Sequence, residues 1–440
     1  MYPVVKACFT LFACLFAVHG CTTGSGSEAV PTGEFHYPLD TAYHSASGSL
    51  YVLNTNFDGR YKSGWVSSID LGGLIERANN GDVTLAEVYQ NGQAVQAFGG
   101  ALLVDGTSNV LYASHRGTDS ISVLQVDSIS GALSCRVDGL SDKVCDDDHR
   151  YEFSTADFSE DKPSRLSDPL ALSITTNPAD TQKRILLVGH AGTGRLSVLN
   201  MEEGENPPRL SAHRSLYLGG DGNSALALHP DQSQGLFASL GTQLNSSDGI
   251  RGRIYHVDLQ KALGESEDDY IFSDSAHSEV YSRELNAIAF SSNGDFAYML
   301  ANAPDALLVF NSAVSTESYI SSSTGELANA AWPHFELVDA HSFSGFVSDL
   351  VYWSTDAGDK LAVSNFEEGS VSFFDVGGGS AALAGKLNNL GQGLLGLELI
   401  TIDEKNYLIA LGFNGNSLSV IELDGSSAAD YRLLAKVGTE

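Results

Sequence analysis

Seven copies of one strand–loop–strand pattern constrain this chain more than any other feature. Each copy is a short apolar strand, a polar loop with Asn, His or Gly, and a second strand that often ends in Asp. The copies begin at Leu50, Leu111, Leu186, Leu236, Ala297, Leu361 and Tyr407, with starts 46 to 75 residues apart. Another apolar strand precedes each copy, as at 168–174, 224–228 and 285–290. A more variable one follows, as at 85–89, 214–218 and 431–437. Each unit is thus about four strands. They are apolar on both faces, as at Phe373-Phe374 and Val420-Ile421. A four-stranded sheet covered on both faces needs a neighbour on each side, and sheets stacked around an axis supply both. The expected fold is all-β, a seven-bladed β-propeller with four-stranded antiparallel blades. A first inner strand near 37–43 and a last outer strand near 431–437 point to little or no strand exchange between the termini.

Composition agrees. Hydrophobic residues make up 42% of 440, ample for a core, and 45 Gly suit many short strands and tight turns. Acidic residues outnumber basic ones 55 to 24, for a net charge of −31. Such a surface repels phosphate backbones, which excludes nucleic acid as a partner.

The repeats resemble the YVTN family of propeller repeats, also seen in bacterial YncE-like proteins, which read Y-V-x-N, a loop, then G-x-V-S-V-I-D. LYVLNTNFDGRYKSGWVSSIDL, from Leu50, is the closest copy; copies four and five are degenerate. The resemblance implies a propeller scaffold of a kind that also carries lactonases. No lactonase catalytic motif matches, so no catalytic residue carries over.

The amino terminus is an address. Lys6 and the twelve-residue apolar run Ala7–Val18 read as a signal peptide, residues 1–20, too short to span a bilayer. Val18-His19-Gly20-Cys21 resembles a bacterial lipobox, with His19 departing from the usual small residue. A plain secretory signal is the competing reading. The resemblance makes Cys21 the lipidated residue, and Thr22 in place of Asp implies the outer membrane. Residues 21–34 form a tether, rich in Gly and Ser up to Ser27, and 35–440 the propeller. The expected partners are the membrane, through the anchor, and an envelope protein or surface component; the chain is expected to be a monomer.

Cys8 and Cys14 leave with the signal and Cys21 takes lipid, so Cys135 and Cys145 remain. In an exported protein this pair reads as a disulfide closing a local loop, within an insertion over 128–167. A metal reading competes, because Asp146-Asp147-Asp148-His149 follows directly, but the CxxC-type spacing of zinc sites is absent. The acidic runs at 145–149 and 265–269 are weak calcium candidates whose simpler reading is a solvated loop.

Candidate site residues come from the loops, which this fold gathers on one rim. The aligned position ending the second strand reads Asn54, His115, His190, Leu240, Ala301, Asn365 and Leu411. Loops leading into the first strands add His36, Asp168, Asn223, Asn286 and Asp349. His115 with Arg116, His190 and Asp168 would form a charged cluster beside the channel, with Gly117, Gly189 and Gly192 leaving space. The functional reading is a small-molecule or divalent-metal pocket that includes Asn54 and Asn365. The competing reading is a set of polar pins that tie strand ends together.

Motifs for chemistry are missing: no HExxH, GxSxG, P-loop, CxxCH or EF-hand loop occurs. Gly377-Gly378-Gly379 lacks a βαβ context, and Trp65, Trp332 and Trp353 do not recur with the repeat, against a quinoprotein pattern. No cofactor is assigned. The expected function is a lipid-anchored binding or scaffold protein that works through its loop face. The alternative is a hydrolase of lactonase type using the central channel.

Overall fold

The computed structural model describes residues 28–154, 166–177, 180–202, 208–218, 223–230, 236–243, 251–259, 263, 277–280, 284–320, 327–333, 335–425 and 427–439. Cys21, the expected signal peptide over 1–20 and the run at 265–269 lie outside the described residues.

The architecture is all-β. Antiparallel sheets begin at Pro38, Gly99, Pro169, Asn223, Glu284, Val347 and Leu394. Among the described residues, six of these have four strands paired in chain order, and the sheet from Gly99 has five. In the sheet from Glu284, a separate hairpin, Val314–Ile320 with Leu327–Pro333, interrupts the path to the last strand. Each sheet's first strand lies beside the first strand of the next, and Leu394–Ile402 returns to Pro38–His44. The ring is closed, as in a β-propeller.

The two-faced apolar strands take the middle of each sheet. Ser49–Asn54, Val110–His115 and Ser417–Glu422 are buried at every position. Leu50 and Val52 pack against Ile409, Leu411, Leu418 and Val420 of the last sheet. That core also takes Leu71, Leu74 and Ile75 of the helix Leu71–Asn80, whose first turn is capped by Asp70 accepting from the Gly73 amide at 2.9 Å. The first and last sheets are each built from consecutive strands, so closure rests on side-chain packing and on hydrogen bonds across the seam. The Tyr37 amide donates to Asn416 Oδ1 at 2.7 Å and the Tyr43 amide to Glu398 Oε1 at 2.9 Å.

Every first strand carries a register shift near its start, from Pro38/Asp40 in the first sheet to Leu394/Leu397 in the last. A bulge raises the local twist. Repeated at one level, it bends each innermost strand where the strands converge on the axis.

Of the insertion expected over 128–167, residues 155–165 lie outside the described residues. The described part interrupts an outer strand: Leu133–Ser134 pairs with Gln125 and Val126, and Arg150–Glu152 pairs with Ser120–Ser122. The free loop is therefore the stretch between Ser134 and Arg150. The outer strand has a second half because the register of Ser120–Val126 leaves its first three residues unpaired until Arg150 returns. A Cys135–Cys145 disulfide closes the loop, with both cysteines buried beside Val95 and Leu133. The loop leans on the first sheet, where the Ala94 amide donates to the Ser141 carbonyl at 2.8 Å.

Replacing both cysteines by serine should lower unfolding stability by about 2–4 kcal/mol, measured by guanidinium titration. An unchanged midpoint would show that the loop is held by its hydrogen bonds alone.

Candidate functional site

The strand-end position forms a repeated polar pin. Asn54 Nδ2 donates to Ser67 Oγ at 3.1 Å, His115 Nε2 lies 2.9 Å from Ser122 Oγ, and His190 Nε2 lies 2.8 Å from Ser197 Oγ. In each case the serine is two residues into the facing strand from the pin's own cross-strand partner. Asn54 Oδ1 also accepts from the His36 amide at 2.9 Å, which ties the lead-in to its own sheet. Asn365 turns to its own loop, where Oδ1 accepts from the Glu368 amide at 2.9 Å.

This placement corrects the expected open histidine pair. His115 and His190 are both 0% exposed. The ring of Phe153 stands edge-on to His190 at 4.7 Å. Two of the glycines are themselves closely covered: a Cβ at Gly117 would come within 3.0 Å of Phe98, and one at Gly192 within 2.6 Å of Ser167 Oγ. Burial lowers the His115 ring to a pKa of about 3 and the His190 ring to about 4, so both are neutral at pH 7. Arg116 and Asp168 do meet, in a two-pronged ion pair whose Nη2–Oδ2 arm is 3.0 Å, on the partly exposed rim. Asn286 donates to the Val347 carbonyl at 3.1 Å and so links two sheets. His36 lies 2.9 Å from Asp58. Among the described residues no three His, Cys, Asp or Glu side chains are grouped to hold a metal ion.

The rim carries a feature that the sequence reading did not select. One backbone rung recurs at the mouth: the carbonyls of Tyr37, Phe98, Asp168, Phe346 and Gly393 accept from the amides of Thr55, Arg116, Ala191, Phe366 and Phe413 at 2.8–3.2 Å. Four of these acceptors have left-handed φ: Tyr37 51°, Phe98 57°, Asp168 65° and Gly393 67°. For the three that are not glycine this costs about 1–2 kcal/mol each. The rungs bring aromatic side chains from distant parts of the chain together. Tyr37 meets Phe413 at 5.0 Å and Phe57 at 5.8 Å, and Phe57 reaches Phe413 at 5.7 Å and Phe98 at 6.5 Å. Phe57 is 42% exposed at the centre of this arc. Further round, Phe346 and Phe366 pair at 5.8 Å. An arc of ring faces and edges suits stacking and cation–π contact; it holds no nucleophile–base pair.

Nearer the axis, carboxylates bridge successive innermost strands. Asp349 accepts from the Leu397 amide at 2.8 Å, Glu398 from Tyr43 at 2.9 Å, and Asp40 from Leu102 at 2.7 Å. Burial is the main cause that raises all three, Asp40 to about 6 and Asp349 and Glu398 to about 7. The charge of Asp40 adds to the rise at the other two.

No family model matches the chain, and no curated protein does. Solved structures match in fold. The periplasmic gluconolactonase PpgL of Pseudomonas aeruginosa is 14% identical with a TM-score of 0.54, over 91% of this chain and 96% of that one. The β-propeller domain of Swd1 from Myceliophteria thermophila is 10% identical with a TM-score of 0.53, over 89% and 98%. A candidate 6-phosphogluconolactonase of Bacteroides uniformis is 16% identical with a TM-score of 0.51, over 88% and 98%. At these identities the likeness establishes the propeller fold alone.

The two kinds of titrating group oppose each other. The buried histidines bind protons less readily folded than unfolded, so their contribution is complete above about pH 6.5 and is lost as pH falls toward 4 and 3. The carboxylates bind protons more readily folded, so their contribution is complete below the ordinary carboxylate range and is lost as pH rises through about 7. Because Asn already fills this position in the first sheet, His115→Asn with His190→Asn should keep the pins and flatten the acid loss. Asp349→Asn should flatten the loss toward neutral pH. Urea midpoints from pH 4 to 8 check both; unchanged profiles would move the proton linkage elsewhere.

Proposed function

We propose that this chain is a lipid-anchored cell-envelope binding protein, a seven-bladed propeller of YVTN-type repeats held at the outer membrane through Cys21, monomeric, and recognising an envelope protein or surface component with its loop-bearing rim. The observation that carries the reading is the aromatic arc of Tyr37, Phe57, Phe98 and Phe413, with Phe57 42% exposed at its centre. A rigid ring of sheets holds those side chains, and left-handed backbone at Tyr37 and Phe98 is retained where the arc is built. Strain of this kind persists where the surroundings impose it, which is the setting of ligand clamps. Rigid aromatics with few rotatable bonds lose little entropy on binding.

A lactonase is the second reading. The fold likeness to PpgL supports it, and so do Asp40, Asp349 and Glu398, whose raised pKa values near the axis match the needs of a general acid or base at neutral pH. In that reading the rim aromatics would hold the lactone ring above the channel.

Three measurements divide the readings. Cys21→Ser should move the protein from the membrane fraction to the soluble fraction; unchanged retention refutes the anchor. Phe57→Ala with Tyr37→Ala should weaken binding to isolated outer-membrane fractions by roughly tenfold or more, the loss typical of a central aromatic anchor. Unaltered binding refutes the rim as the recognition face. Turnover of glucono-δ-lactone, with and without divalent ions, that disappears in Asp349→Asn would install the lactonase reading; no turnover above buffer removes it.

A further inference from the structure

The loop closed by Cys135–Cys145 is internally braced and yet exposes apolar side chains. Several of its polar groups pair with one another. The Arg136 guanidinium donates twice to Asp138, at 2.7 Å in both arms, and to the Val144 carbonyl at 3.0 Å. Asp138 also accepts from the Leu140 amide at 3.2 Å. Asp146 accepts from the Val137 amide at 3.0 Å and lies 2.6 Å from His149 Nδ1. Left-handed Gly139, φ 69°, closes the turn, its amide reaching the Arg136 carbonyl at 3.2 Å. The apolar side chains face water instead: Val137 is 83% exposed and Leu140 41%, with Ile129 of the preceding turn at 89%.

A solvated loop gains nothing from this arrangement. Water would satisfy its amides and carboxylates, and an exposed valine at the tip of a turn stabilises no fold. The disulfide, the ion pair and the clamp on the first sheet through Ser141 remove the loop's freedom before any contact is made. A preorganised apolar tip loses little entropy on docking, which is how short interface anchors work.

Charge selects the partner. From Asp127 to His149, both included, there are six aspartates against Arg136 and Lys143, on a chain of net charge −31. One residue past Asp146, Asp147 and Asp148 line a cleft of about 310 Å³ shared with Arg150, Tyr151 and Arg209. Asp147 and Asp148 already pair there with Arg150 at 3.0 Å and Arg209 at 3.3 Å, whereas Asp142, two residues from Leu140, is exposed beside the apolar tip. We propose that this loop is a preformed docking element, in which Val137 and Leu140 enter a shallow apolar socket on a partner protein whose rim carries Lys and Arg. The proposal stands apart from whatever occupies the aromatic rim.

The test uses the full-length chain in its native envelope. A photo-crosslinking phenylalanine is placed at Val137, at Leu140, or at Leu433, which is 39% exposed on the far edge of the last sheet. The expected result is one common crosslinked protein from positions 137 and 140, absent from 433. Its crosslinked peptide should be apolar with flanking Lys or Arg. Asp138→Lys with Asp142→Lys should cut the yield from position 140 at least fivefold, and added salt should cut it in the wild type. Because Asp138 takes part in the turn, Asp142→Lys alone is the second variant and should give a smaller loss in the same direction. No common product, a crosslink to lipid or to a second copy of this chain, an acidic partner surface, or a yield indifferent to charge reversal and to salt each overturns the proposal.

Discussion

Closure of the ring is the constraint on which the rest depends. Neither terminal sheet borrows a strand from the other, so the first and last sheets meet by packing, through Leu50 and Val52 against Ile409, Leu411, Leu418 and Val420. The helix Leu71–Asn80 seals the outside of the same seam with Leu71, Leu74 and Ile75. Hydrogen bonds from Tyr37 and Tyr43 to Asn416 and Glu398 set the level at which the two sheets register. Burial on this scale is non-directional, so polar contacts of this kind are needed to choose one alignment among several.

The same division of labour runs around the ring. Apolar side chains join the faces of neighbouring sheets, and single polar groups fix their relative heights. Asp349, Glu398 and Asp40 each hold an amide of the next innermost strand, in a chain of links across the closure. Within a sheet, Asn54, His115 and His190 hold the facing serines. A histidine serves as well as an asparagine there because a neutral ring offers one donor and one acceptor in a dry site. The cost is proton linkage: the fold excludes the charged imidazole and disfavours the charged carboxylate, and stability responds to pH from both sides.

Much of the fold was legible in the sequence. Strands with apolar residues on both faces, repeated at similar spacing, admit few closed arrangements, and the all-β ring follows. The cysteine pair was legible too, by elimination and by its short separation. The candidate site was only half legible. The strand-end polar residues stood out by alignment, but alignment does not say whether Asn54 or His190 faces a ligand or a neighbour. The serines on the next strand held that information, since Ser67, Ser122 and Ser197 recur at one offset. The aromatic arc was not selected because Tyr37 and Phe413 stand at opposite ends of the chain, and a flanking aromatic beside a strand end has no signal of its own.

What the sequence determined by itself is the repeating unit, its alternation of strand and polar loop, and the acidic balance of charge. These are local properties, written in periodicity and residue type. What only the tertiary structure decided is which side chains meet: Tyr37 with Phe413, Asp349 with the Leu397 amide, Arg116 with Asp168, and the outward turn of Val137. The physical reason is that ring closure and burial act between residues hundreds of positions apart. A polar group's role depends on the partner that closure places beside it.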